Sequence, residues 1–203
     1  MKIIKKRLNC YILRDKSKRD SKNLRNLNHL SEVFHYYDTY VIDLWGVIHN
    51  GISLNSKAIE VVENLSENSK KIVFLSNAPR PSLKVVEFLR RLKMDNKFLS
   101  KVITSGEAAM HAINNHKFGK KFYHLGPPRD ESIFEKVLEN KTSLERCDFI
   151  VCTGLFDDQG EDLNYYKELL MDYTSKKLIC TNPDLIVHRG DAEELCAGSI
   201  AKT

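Results

Sequence analysis

The sequence predicts an α/β protein built on parallel sheet, with a second βαβ-like unit following the first. Three observations carry this. Short, continuous apolar runs recur at Tyr40-Val41-Ile42, Ile72-Val73-Phe74-Leu75, Val102-Ile103, Phe149-Ile150-Val151-Cys152 and Leu178-Ile179-Cys180. Such runs suit strands covered on both faces, as parallel strands are. Each run ends in polar residues or glycine, and the segments between them carry helical spacing. Alternation of that kind argues for right-handed βαβ crossovers.

Taken in order, residues 26–38 read as a short amphipathic helix with Leu27, Leu30 and Phe34 on one face. The first strand follows and ends at Asp43, where Gly46 and then His49-Asn50-Gly51 turn the chain. A helix is expected from about Ser56, capped by Asn55 or Ser56, with Ile59, Val62 and Leu65 at helical spacing. The strand 72–75 stops at Ser76-Asn77-Ala78-Pro79-Arg80, and a helix runs from Ser82 to Leu92. Strand 102–104 and a helix from about Glu107 to Asn115 complete the first unit.

The second unit begins near Lys120. Phe122-Tyr123-His124-Leu125 is a strand stopped by Gly126-Pro127-Pro128, and residues 133–138 read as helical. The strand 148–152 ends at Thr153-Gly154, a helix spans 163–173, and the strand 178–180 ends at Thr181-Asn182-Pro183-Asp184. Residues 197–203 look like the first turn of a helix cut short.

Composition excludes several classes. With 203 residues, 42% hydrophobic and 29% charged, the chain matches a globular protein with a substantial core. It holds no apolar stretch of the roughly 18 residues that a membrane span needs. Leu8 to Leu13 is too short and too interrupted for a secretory leader, so the cytoplasm is the expected location. Five cysteines, without a C-x-x-C pair, suit neither a disulfide framework nor a structural zinc site and read as free thiols. The net charge of +5 is concentrated in residues 1–25, where ten Lys or Arg face Asp15 and Asp20. That aromatic-poor segment reads as a solvated, disordered arm rather than a nucleic-acid binder.

The residues with chemical potential lie at strand ends. In an open parallel sheet the carboxyl ends of the strands form the ligand crevice. Asp43 there is either a reactive carboxylate or an acid capping a turn, and Ser76 and Asn77 are either anion ligands or an ordinary strand-to-helix turn. The segments Asp43-Leu44-Trp45-Gly46-Val47, Leu75-Ser76-Asn77, Thr181-Asn182-Pro183-Asp184 and Ala197-Gly198-Ser199 occur in an order that resembles the haloacid-dehalogenase-like (HAD) superfamily. The closer likeness is to subclass IIA, whose α/β cap is inserted after the second motif and whose members include pyridoxal-phosphate, phosphoglycolate and nucleotide phosphatases. The resemblance covers about residues 27–203. It implies a Rossmann-like parallel-sheet core at 26–119, an α/β cap at 120–188 and a return into the core at 189–203, after the basic tail of 1–25.

The resemblance further implies that Asp43 attacks phosphorus to form an aspartyl-phosphate. Ser76 and Asn77 would bind the phosphoryl oxygens, and Asn182 and Asp184 at the hinge would be structural or substrate-facing. Magnesium would bridge the Asp43 carboxylate and the Trp45 carbonyl. Arg80, Arg129, His124, His188 and Arg189 either meet an anionic substrate or take solvated surface positions. The implied partner is a small phosphorylated metabolite, with a homo-oligomer or a complementing chain as a further possibility.

Two departures bear on activity. The family's phosphatases carry a second Asp two residues after the nucleophile, as proton donor and acceptor; here that position is Trp45, and an indole supplies neither role. The dehalogenase branch also has an aromatic residue there and the phosphonate-cleaving branch an Ala. His49 on the next turn is either a local hydrogen-bonder or a substitute acid. The family's third and fourth motifs, a Lys and the acids that complete the metal site, correspond to positions beyond Thr203. The expectation is therefore a truncated enzyme of doubtful activity, or an inactive remnant that binds a ligand or a protein.

Overall fold

The computed structural model describes residues 27–203; the basic segment expected to be a disordered arm lies outside them. Two three-stranded sheets carry the chain. The first contains β1 (Thr39–Asp43), β2 (Lys71–Ser76) and β3 (Val102–Thr104), all parallel and in the order β1-β2-β3. Between them run α1 (Ser56–Glu67) and α2 (Ser82–Arg91).

Both crossovers step the same way across the sheet, so right-handed connections bring both helices to one face. That face holds the core: Tyr40, Ile42, Phe74 and Val102 pack with Val62 and Leu65 of α1 and Val86 and Leu89 of α2. Asp43, Leu75 and Ile103 are register partners and belong to the opposite face. There Leu75 is 48% and Ile103 49% exposed, which leaves this side of the sheet uncovered among the described residues.

Helix α3 (Ser105–Asn114) starts directly from β3, with the Thr104 hydroxyl accepting the Glu107 N–H at 3.0 Å as its cap. It leads to the second sheet, in which β4 (Phe122–Leu125), β5 (Phe149–Cys152) and β6 (Lys177–Cys180) are again parallel. Both faces of this sheet are covered. Phe122, Phe149 and Val151 pack with Ala109 and Ile113 of α3 and with Ile133 and Phe134. On the other side Leu125, Ile150 and Cys152 meet Tyr166 of α4 (Leu163–Leu170) and Ala197 and Ile200 of α5 (Ala197–Lys202). Double coverage accounts for the unbroken apolar reading of Phe149-Ile150-Val151-Cys152.

The open face of the first sheet departs from the expected coverage on both faces at 72–75, and α1 starts without a side-chain cap from Asn55. Three further segments differ. Residues 26–38 form two 3-10 turns, Leu30–Glu32 and Phe34–Tyr36, in place of one amphipathic helix, although Leu30 and Phe34 still pack on the first core. The helix expected at 133–138 is a 3-10 run over Pro128–Phe134 and a further turn at Leu138–Asn140. Pro127 and Pro128 leave residues 127 and 128 without backbone donors, which starts the segment as a tight turn. An antiparallel hairpin of β7 (Ile186–Arg189) and β8 (Ala192–Leu195) was not anticipated. No helix among the described residues is long and apolar enough to cross a membrane.

Candidate active site

Parallel pairing puts Asp43 opposite Leu75, so Ser76 lies one residue further along the neighbouring strand. The carboxylate and the Ser76-Asn77 turn therefore leave the sheet side by side. Asp43 Oδ1 accepts the Leu44 N–H at 2.8 Å. Burial lifts its pKa from 3.8 to about 6; the Leu44 N–H opposes this and the Asp184 charge adds to it. No salt bridge among the described residues includes Asp43. It is a partly buried carboxylate without a compensating cation.

The loop after Asp43 is wound around one carbonyl. Leu44 O accepts the N–H groups of Ile48 at 2.9 Å and His49 at 3.1 Å, while Gly46, at φ +77°, donates to His49 O at 2.7 Å. A left-handed residue is needed there, and glycine takes that conformation without strain. Trp45 turns its indole onto the hairpin: Nε1 donates to His188 O at 2.9 Å and Arg189 lies over the ring at 5.6 Å. Gly51 backs the ring so closely that a Cβ there would sit 2.8 Å from Trp45 Cη2.

Of the two readings of His49, the geometry favours the local hydrogen-bonder. His49 is buried, Nδ1 accepts the Gly51 N–H at 3.1 Å, and its ring lies between Trp45 and Phe88, with centroids 5.2 Å from each. Burial lowers its pKa to about 4, so the ring is neutral and its accepting nitrogen is in use. It holds the loop together and does not stand in as the acid.

Ser76 is buried, and its Oγ accepts the Ala78 N–H at 3.2 Å. Asn77 is exposed and its Nδ2 donates to Asp184 Oδ2 at 3.1 Å. This contact joins residues 107 positions apart and brings the turn after β2 to the turn after β6. Asn182 faces inward on its own turn, with Oδ1 accepting the Asp184 N–H at 3.1 Å. Ser105, which sequence reasoning did not select, lies within hydrogen-bond reach of Ala78 O, at 3.1 Å, and of Thr181 O. Its only signal in the sequence is a polar residue directly after a strand.

The other cationic candidates already have partners. Arg80 Nε is 2.7 Å from Oδ1 of buried Asp130, Arg129 pairs with Asp157, and Arg189 Nε is 2.9 Å from Glu194. His188 Nε2 is 3.0 Å from Glu193. His124 is buried against Thr153 Oγ1 at 2.9 Å, and burial lowers its pKa to about 4. None of the five is a bare cation waiting for an anion.

The donors that could meet a divalent cation are the Asp43 carboxylate and the Trp45 carbonyl, on which no main-chain hydrogen bond from the described residues ends. These two hard oxygens, one of them from an uncompensated carboxylate, fit one corner of a magnesium site. No cluster of three or more His, Cys, Asp or Glu side chains suited to a metal occurs among the described residues.

Comparison with known proteins agrees with this geometry. The family model described as haloacid dehalogenase-like hydrolase matches residues 40–138. A haloacid dehalogenase-like hydrolase from Brucella suis superposes with a TM-score of 0.78 and 31% identity, over 85% of this chain and 64% of that one. A 4-nitrophenylphosphatase from Thermotoga maritima gives 0.63 and 26%, over 83% and 63%. A glycerol phosphate phosphatase from Mycobacterium tuberculosis, solved with magnesium, gives 0.58 and 19%, over 84% and 52%, a likeness of fold alone. No curated protein matches the sequence significantly. The chain thus spans about 64% of the length of the Brucella structure that it matches.

Fold and site together define a Rossmann-like α/β chain with an acid at the end of its first strand. The chain is similar to the haloacid dehalogenase-like hydrolases over the matched residues, and its structural neighbours include phosphatases of subclass IIA.

Proposed function

We propose that the chain is a hydrolase of small phosphorylated metabolites that works through an aspartyl-phosphate on Asp43. The observation that carries this reading is the placement of the Asp43 carboxylate at the end of β1, beside the Ser76-Asn77 turn of the adjacent strand. A carboxylate oxygen there can approach phosphorus in line with the leaving oxygen, and covalent capture splits the hydrolysis into two displacements. Ser76 and the N–H groups of its turn would hold phosphoryl oxygens. Magnesium, held by the Asp43 carboxylate and the Trp45 carbonyl, would offset the charge that otherwise repels attack.

The segment 120–188 is read as the cap, closing over the core at 26–119 and selecting the substrate, with 189–203 as the return. The Asn77–Asp184 contact supports this, since it ties the core turn to the end of that segment. A second copy or a complementing chain is read as a further partner, supported by the exposed Leu75 and Ile103 on the face that carries Asp43. A reducing, cytoplasmic setting fits the free thiols of Cys147, Cys152, Cys180 and Cys196 among the described residues.

A second reading, an inactive ligand- or protein-binding module, is favoured by the engagement of Trp45 with the hairpin where an acid would be required. One assay separates the two. Magnesium-dependent release of phosphate from 4-nitrophenyl phosphate, abolished by Asp43→Asn, supports the hydrolase. Thermal stabilisation by inorganic phosphate without any turnover supports the module.

A further inference from the structure

An aspartyl-phosphate is broken by water, and that water must lose a proton as its oxygen attacks phosphorus. Trp45 cannot take it, because an indole offers only its N–H, and here that group is donated to His188 O. His49 cannot take it either, since it is buried and its Nδ1 already accepts the Gly51 N–H. Asp184 is the acid brought to this end of the sheet: Asn77, in the turn that leaves the sheet beside Asp43, donates to its Oδ2 at 3.1 Å.

Asp184 is presented in a way that suits the task. Its side chain is exposed, so water and solvent protons reach it, and Asn77 Nδ2 orients one oxygen from 3.1 Å. The backbone beneath it is held from several directions. Asn182 Oδ1 accepts its N–H, Ser199 Oγ donates to Leu185 O at 2.6 Å, and the Cys196 N–H donates to Leu185 O at 2.9 Å. Gly198 fits so tightly beneath this segment that a Cβ there would lie 2.5 Å from Asp184 O. The carboxylate is free to meet water while its main chain is not free to move.

We infer that Asp184 is the general base that activates water against the aspartyl-phosphate, an assignment that rests on the hydrolase reading above. Asp184 takes one proton from water as the water oxygen forms its bond to phosphorus. The bond between phosphorus and the Asp43 oxygen breaks, and its electron pair returns to Asp43 as carboxylate. Inorganic phosphate leaves, and Asp184 passes its proton to solvent. Asn77 is a positioning residue for this step.

The test is rapid mixing of the intact chain with 4-nitrophenyl phosphate and magnesium, following 4-nitrophenol release and the mass of the protein. Asp184→Asn is expected to give a stoichiometric burst, accumulate phosphorylated protein and then turn over slower by about 10² to 10⁴. Asp184→Glu is expected to recover part of the steady-state rate, and Asn77→Ala to accumulate phosphoprotein to a smaller extent. Asp184→Asn that turns over at the unaltered rate, or that slows without accumulating phosphoprotein, overturns the assignment and leaves the hydrolase reading standing. An unaltered chain that neither releases phosphate nor becomes phosphorylated overturns the hydrolase reading and this assignment with it.

Discussion

Acidification should destabilise this protein through two histidines whose burial is unrelated to any titrating role. His49 and His124 are each 4% exposed, and burial holds both pKa values at about 4 against 6.5 in the unfolded chain. At His124 the nearby Lys141 pushes the same way and Glu131 opposes. Below pH 6.5 the unfolded chain binds protons that the folded chain refuses, so stability falls as the pH drops from 6.5 towards 4. Between about pH 7 and about pH 5 the two together remove about 4 kcal/mol. Asp43 works in the opposite sense. Its folded pKa of about 6 lies above 3.8, so the folded state gains the proton first and recovers about 1 kcal/mol over the same interval. The net expectation is a loss of about 2–3 kcal/mol, read from urea midpoints across a pH series. His124→Gln should remove about 2 kcal/mol of this loss and leave the profile nearly level. Stability that stays level or rises between pH 6.5 and 5, or imidazole NMR titrations centred near 6.5, would refute the reasoning.

Further outcomes follow from particular contacts. Asp43→Asn should raise the unfolding free energy at neutral pH by about 1–3 kcal/mol while abolishing phosphate release, because it removes a charge that burial disfavours; calorimetry and the phosphate assay read the two effects separately. Gly198→Ala should lose about 1–3 kcal/mol in a thermal melt, since its Cβ would lie 2.3 Å from Pro183 O and 2.5 Å from Asp184 O, both backbone atoms. Asp130→Asn should cost about 1–2 kcal/mol in urea unfolding. Burial already pushes that carboxyl up against the pull of Arg80, and the Arg80 side chain, 38% exposed, can find water once the charge is gone.

The strands of both sheets were legible because double coverage or a sharp polar stop marks them in a single stretch of sequence. Asp43, Ser76 and Asn77 were legible for the same reason, as polar residues where an apolar run ends. The hairpin of β7 and β8 was not. Its strands are four residues each and mostly exposed, so Ile186-Val187-His188-Arg189 and Ala192-Glu193-Glu194-Leu195 carry little apolar alternation. The Gly190 turn, at φ +62°, was the one local signal. Residues 133–138 suggest a helix because their apolar positions satisfy either period, where the structure has 3-10 turns at Pro128–Phe134 and Leu138–Asn140. The fate of His49 depends on Phe88, and that of Asp184 on Asn77, partners that no local window contains. Trp45 was recognised as a substitution, but its bond to the hairpin was invisible until the hairpin itself was known.

That bond gives the molecule an optical property. Trp45 is the chain's single tryptophan, and it sits two residues from the carboxylate with a guanidinium across its face. Fluorescence excited selectively in the indole therefore comes from one place, and any displacement of Arg189 or of the His188 carbonyl should alter its intensity and colour. Binding at the crevice can be titrated by emission alone, with no label attached.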